Sequence, residues 1–167
     1  MERLQRLVKN LFGGWFQLRR RFPSSLLDEM ASAISQGERR HLGELRFAVE
    51  SRLPPAAVWA GLTARQRAGQ VFAQLGVWDT EHNTGVLIYV LLAERRIEIV
   101  VDRGLAARVD AAEWGSITVQ MRQAFAADQW REGSLAGIAA VHALAQAHFP
   151  GDGRANPDEL PDRPVLL

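Results

Sequence analysis

Cysteine is absent from this 167-residue chain, which excludes a disulfide framework, a thiolate zinc site, an iron–sulfur cluster and a thiol nucleophile. Any metal must then be held by histidine, carboxylate or carbonyl oxygen. An excess of one charge is lacking too. With 20 Lys+Arg against 19 Asp+Glu, a chain-wide nucleic-acid surface is not expected, although a local patch remains open. There is no long hydrophobic run. The longest stretch free of acidic and basic residues, Gly133 to Gly151, carries Ser134, His142, Gln146 and His148. It spaces Leu135, Ile138 and Val141 by three, which suits an amphipathic helix better than the roughly 20 apolar residues of a membrane span. The first twenty residues scatter their charges and hold no apolar stretch ending at a small-residue cleavage site, so no signal peptide is expected. The chain reads as a soluble cytoplasmic protein, peripheral on the inner membrane if its basic start docks there. Motif chemistry is equally sparse. No GxxxxGK[ST], GxGxxG or GxSxG occurs, no serine stands out beside a histidine, and no organic cofactor is expected. Trp15, Trp59, Trp78, Trp114 and Trp130 are scattered, which argues against a base-stacking platform and a nucleic-acid partner.

What is present falls into three zones. Residues 1–22 hold Arg3, Arg6, Lys9, Arg19, Arg20 and Arg21 against Glu2 alone, with Leu4, Leu7, Val8 and Leu11 at helical spacing and a Gly13-Gly14 break before Trp15, Phe16 and Leu18. Such a basic amphipathic arm can lie on an anionic membrane surface; a helix that packs on its own domain or on a partner shows the same pattern. Residues 23–150 read as the globular body. Ser25 and Asp28 suggest a capping box for a helix carrying Leu26, Met30, Ala33 and Ile34. Leu45, Phe47 and Val49 alternate with Glu44, Arg46 and Glu50, the period of a strand buried on one face. Thr63 and Gln66 cap a further helix, stopped by Gly76. Gly85 to Leu92, GVLIYVLL, reads as a central strand covered on both faces, and Ile97, Ile99 and Val101 as its hairpin partner. Helices follow around Trp114, Ile117, Met121 and Phe125 and around Leu135, Ile138 and Val141. Residues 151–167 form a flexible tail rich in Pro and Asp, without a core of its own. The fold expected is α/β, a three-layer α/β/α sandwich on a small mixed sheet built from a β-α-β unit plus a hairpin strand.

That topology gathers polar residues. In a β-α-β crossover the two strands run parallel, so His41 and Glu44 and the loop Asp79, Glu81, His82 and Asn83 share one end of the sheet, to which Asp102-Arg103 returns. Glu44, Asp79, Asn83 and Asp102 then make a candidate site for Ca²⁺ or Mg²⁺, with Arg103 for an anion. The plainer alternative is that Asp79, Glu81 and Asp102 bond their own turns, that Glu44 pairs with Arg46 or Arg103, and that His41 and His82 are solvated. His142 and His148, six apart, do not form a metal pair.

Gly43-Glu44-Leu45, the run GVWDTEHNTGVLIYVLLAERRIEIVVDRG over Gly76 to Gly104, Trp114, Phe125 and the helix GSLAGIAAV together resemble the TPM domain family, which includes bacterial YgcG-like proteins and an acid-phosphatase-like thylakoid-lumen group. The likeness covers about Leu26 to Phe149 and implies a three-layer α/β sandwich. The family usually shows two asparagines before Gly-Val-Leu-Ile, whereas Asn83 is followed here by Thr84. Some relatives bind divalent cations at this rim, and phosphatase activity is attributed to the plant branch, so the resemblance marks Glu44, Asp79, Asn83 and Asp102. Many relatives carry a signal peptide and a C-terminal membrane helix, which are not expected here. Two functions follow. One is a non-catalytic binding or assembly module for a protein partner at or near the membrane, its arm contacting anionic lipid and its rim holding a cation. The other is a metal-assisted phosphatase using the same carboxylates, with Arg103 holding phosphate.

Overall fold

The computed structural model describes residues 2–12, 15–151, 153 and 159–167. The Gly13-Gly14 break and the part of the expected tail at 152 and 154–158 lie outside the described residues. The order is α1 (Glu2–Phe12), α2 (Trp15–Arg21), α3 (Ser24–Glu38), β1 (Glu44–Glu50), α4 (Pro55–Trp59), α5 (Ala64–Gln74), β2 (Gly85–Leu91), β3 (Arg96–Val101), α6 (Arg103–Ala106), α7 (Ala111–Ala126), α8 (Trp130–His148) and β4 (Val165–Leu166). The sheet runs β3-β2-β1-β4. β1 and β2 are parallel with Glu44 opposite Gly85, β3 returns antiparallel to β2, and β4 adds parallel to β1. This is the expected mixed sheet with a fourth strand. Among the described residues no helix is long and apolar enough to cross a membrane.

Two apolar layers sandwich the sheet. Leu45, Phe47, Val49, Val86, Ile88 and Val90 face α3, α7 and α8, with Leu18 and Phe22 from the start of the chain in the same cluster. Ala48, Leu87, Tyr89 and Leu91 face α4 and α5, with Leu160 from the C-terminal segment closing that side. The glycines of α8 allow its approach to α7: a Cβ on Gly137 would lie 2.4 Å from Met121 Sδ, and one on Gly133 would lie 2.8 Å from Ala124 Cβ.

Local readings divide. Thr63 and Gln66 form the reciprocal capping box of α5, as their spacing requires. Ser25 and Asp28 do not cap α3, because the helix begins at Ser24 after Pro23 and has no side-chain cap; proline supplies the fixed φ of a helix start without a capping oxygen. Arg46 and Glu50 are not on a solvated face. All seven residues of β1 are buried, since an interior parallel strand is covered on both sides. Residues 159–167 are packed as well: Leu160 is in the core, and the Leu167 amide donates to the Val49 carbonyl at 2.8 Å.

Candidate functional site

The antiparallel pairing of β2 and β3 sets the approach to β2 beside the exit of β3. Asn83 holds a left-handed backbone, φ 53°, a conformation that asparagine tolerates better than most residues. The Gly104 amide donates to the Asn83 carbonyl at 2.9 Å and the Asp102 amide to the Gly85 carbonyl at 2.9 Å. Asp102 Oδ1 accepts from the Arg103 amide at 2.7 Å, capping α6, a short helix the sequence reading did not anticipate. Arg103 Nε donates to Asn83 Oδ1 at 3.0 Å. A Cβ on Gly104 would lie 2.5 Å from the Asn83 carbonyl oxygen, so the two loops meet only because that residue is glycine. Three of the five expected rim residues, Asn83, Asp102 and Arg103, are thus in one constellation.

Glu44 and Asp79 are placed differently. Glu44 sits opposite Gly85 in register, but its side chain is buried and accepts from the Leu160 amide at 3.2 Å, beneath the C-terminal segment. Asp79 is exposed in the turn after α5, where its amide donates to the Gly76 carbonyl. Asp102 Oδ2 is buried without a hydrogen-bond partner, the one oxygen of the constellation left open. Among the described residues, no group of three or more His, Asp or Glu side chains is arranged to hold a metal ion.

Behind the rim lies a charged interior. Glu38 Oε1 accepts from the Leu45 amide at 2.7 Å, and burial first, then the neighbouring Glu44 and Asp162 carboxylates, push its carboxyl up to about 10. Arg46 has its guanidinium lowered by the same burial and supported by Asp162 and Glu38. Its Nη1 donates to the Arg163 carbonyl at 3.3 Å. At the other end of β1, Glu50 accepts from Arg67 Nε at 2.9 Å and Nη2 at 3.1 Å and from the Tyr89 hydroxyl at 2.5 Å. Burial, then that hydrogen bond, raises the Tyr89 hydroxyl.

The histidine reading also changes. His41 is buried, its Nε2 2.7 Å from His142 Nδ1, while its Nδ1 accepts from the Gly43 amide at 3.0 Å. That amide fixes the His41 proton on Nε2, so His142 Nδ1 accepts and its own proton sits on Nε2. A further proton on the facing side would set two N–H groups against each other. Burial, then nearby Arg40 and, for His142, its histidine partner, lower both rings to about 4. Gly37 makes room for the pair, since a Cβ there would lie 2.1 Å from the His142 ring. These groups are 101 residues apart in sequence, and nothing local in the chain signals the pairing.

The basic arm is fastened at one face. Arg6 Nη2 donates to Glu94 Oε1 at 2.8 Å and to the Leu62 carbonyl at 2.7 Å. Asn10, fully buried, takes the Leu53 amide at 2.7 Å. The opposite face is open: Leu4, Val8 and Leu11 are 63%, 46% and 48% exposed, and Phe16 in α2 is 84% exposed. Arg3, Lys9, Arg19 and Arg20 are exposed beside them.

A family model described as TPM domain matches residues 22–144. The NMR structure of the BA42 protein from the psychrophilic bacterium Bizionia argentinensis superposes with a TM-score of 0.76 at 24% identity, covering 86% of this chain and 94% of that one. At that identity the likeness shows the fold alone. No curated protein matches the chain.

Proposed function

We propose, on the premise that the chain belongs to the TPM domain family, that it is a cytoplasmic, non-catalytic binding and assembly module brought to a partner at an anionic membrane surface by its basic arm. One observation carries the reading. α1 is tied to the body through Arg6 and Asn10, yet leaves Leu4, Val8 and Leu11 open at helical spacing beside basic side chains. An amphipathic helix with an apolar face and a cationic flank binds anionic interfaces through buried area and charge together. Removing the arm would be a poor test, because Leu18 is in the core. Flotation of the full chain with phosphatidylserine-containing vesicles against Leu4→Gln/Val8→Gln/Phe16→Gln is the test. The chain is expected to float and the triple variant, still folded, to remain below; equal behaviour of both removes the membrane part.

A divalent cation at the rim and metal-assisted phosphoryl chemistry form the second reading. Its support is Asp102 Oδ2, open beside Arg103 and Asn83. Asp102 Oδ1, Asn83 Oδ1 and the Asn83 carbonyl already accept hydrogen bonds, and among the described residues the carboxylates do not converge into a cage. The donor set therefore does not fit a resident metal as arranged, and no catalytic step is drawn through one. A concentration-dependent rise in melting temperature with Ca²⁺ or Mg²⁺, lost in Asp102→Asn, supports the cation. Phosphate-ester hydrolysis unchanged in folded Asp79→Asn/Asp102→Asn removes the enzyme.

A further inference from the structure

The carboxyl ends of the parallel strands lie opposite the rim, and open α/β sheets characteristically take their ligands at that end. A groove of about 280 Å³ opens there, between the β2–β3 hairpin and the ends of α2, α7 and α8. Four arginines line it: Arg21 from α2, Arg95 and Arg96 from the hairpin and Arg122 from α7. Its wall is aromatic, with the Phe125 and Trp130 rings stacked at 4.5 Å and the Arg21 guanidinium 4.5 Å above Trp130. Val90 and Ile97 continue the apolar lining.

The charges in this groove are unbalanced. Asp128 is the one carboxylate among its lining residues, and it already accepts from Trp130 Nε1 at 2.5 Å. Among the described residues, Arg95, Arg96 and Arg122 make no ion pair or side-chain hydrogen bond. A chain with a formal net charge of +1 has thus set several cations round one small apolar concavity. Like charges so gathered repel, and low-dielectric walls focus their field on any anion that enters. Guanidinium forks suit carboxylate and phosphate oxygens, and a mostly apolar lining with a few convergent polar groups is the usual form of a small-molecule site.

We propose that this groove binds a monomeric anionic amphiphile, a small molecule with a phosphate or carboxylate head and an apolar body. The head pairs with Arg95, Arg96 and Arg122, and the body lies along Phe125 and Trp130. The site does not depend on docking of the arm, whose exposed apolar residues are elsewhere in the chain.

The test is calorimetric titration of the full chain with dodecyl phosphate below its micelle-forming concentration. Saturable one-to-one binding is expected, weakened at least about 10-fold in Arg95→Gln/Arg122→Gln. Ala126→Trp, which keeps every charge and fills the groove at one of its lining residues, should lose binding as well. Dodecyltrimethylammonium and inorganic phosphate alone should not saturate in the same range. Binding of the cationic detergent or of phosphate as tight as that of dodecyl phosphate would overturn the assignment. So would unchanged affinity in either folded variant, or uptake on anionic vesicles with no binding of the monomer.

Discussion

At the amino ends of β1 and β2, Asn83 Oδ1 accepts from Arg103, Asp102 Oδ1 caps α6, and Glu44 is closed over by the Leu160 amide. At the carboxyl ends, Arg95, Arg96 and Arg122 surround an apolar groove whose carboxylate, Asp128, is already engaged. Topology brought polar residues together at both ends. At the first the unpartnered atoms, Asp102 Oδ2, Arg46 Nε and His142 Nε2, are single buried atoms, whereas at the second whole exposed guanidinium groups stand round an accessible groove. Convergence of charged residues is therefore a poor criterion for a binding site by itself, and the inventory of satisfied and unsatisfied groups is the better one.

The sharpest way to break this comparison is at Glu50, which anchors the carboxyl end of β1 from within. Glu50→Ala leaves the buried Tyr89 hydroxyl without its acceptor and Arg67 without its bidentate partner. Loss of about 3–5 kcal/mol is expected by chemical denaturation, as for one half of a buried ion pair. A loss under about 1 kcal/mol would mean that the interior network is not built as described.

The amino end can be probed by pH. Glu38 keeps its proton up to about 10 in the fold, against an ordinary value of 4.5. The folded chain therefore carries an extra proton over that interval, and stability falls as pH rises through it, by up to about 1.4 kcal/mol per pH unit. His41 and His142 stay neutral down to about 4 instead of 6.5, so their contribution is lost as pH falls from 6.5 towards 4. Between 4.5 and 6.5 the histidines and Glu38 act in opposite senses, and above 6.5 Glu38 acts alone to lower stability as pH rises. In Glu38→Gln, melting temperatures measured across pH should show a flattened alkaline limb and a gain that grows with pH. An unchanged limb would show that Glu38 ionises normally.

Some of this was legible in the chain and some was not, for identifiable reasons. β2 is readable because a strand covered on both faces is most often apolar throughout, and GVLIYVLL is. β1 misled because Glu44, Arg46 and Glu50 alternate with Leu45, Phe47 and Val49 as a solvated face would. Their partners, Glu38, Asp162, Arg67 and Tyr89, come from four other parts of the chain. The C-terminal segment reads as a tail because its anchors, Leu160 and the Val165–Leu166 pair, are too few to show a period. Asn83, Asp102 and Arg103 were found from topology, since strand direction dictates which loops meet. The groove left no local signal, because its arginines come from α2, the hairpin turn, β3 and α7.

Smaller effects sharpen the contrast between the ends. Asn83→Ala should cost about 1 kcal/mol, because alanine resists the left-handed backbone there, and Asn83→Gly should recover the backbone part of that loss. A full loss in both would assign Asn83 to its bond with Arg103 instead. Smallest of all, Arg95→Gln/Arg122→Gln should leave unfolding free energy within about 0.5 kcal/mol of the parent, since both side chains are exposed and glutamine meets the left-handed backbone of Arg95, φ 52°, much as arginine does. Stabilisation beyond that would show relief of repulsion larger than the comparison allows, and marked destabilisation would show that these arginines serve the fold.

The most direct measurement is an amide NMR titration of the full chain with dodecyl phosphate. Shifts confined to Arg95, Ile97, Arg122, Phe125 and the Trp130 indole, with Asn83, Asp102 and Arg103 unmoved, are the result expected. Shifts centred on Asn83, Asp102 and Arg103, or none at the groove under saturating ligand, would contradict the assignment of recognition to the carboxyl end.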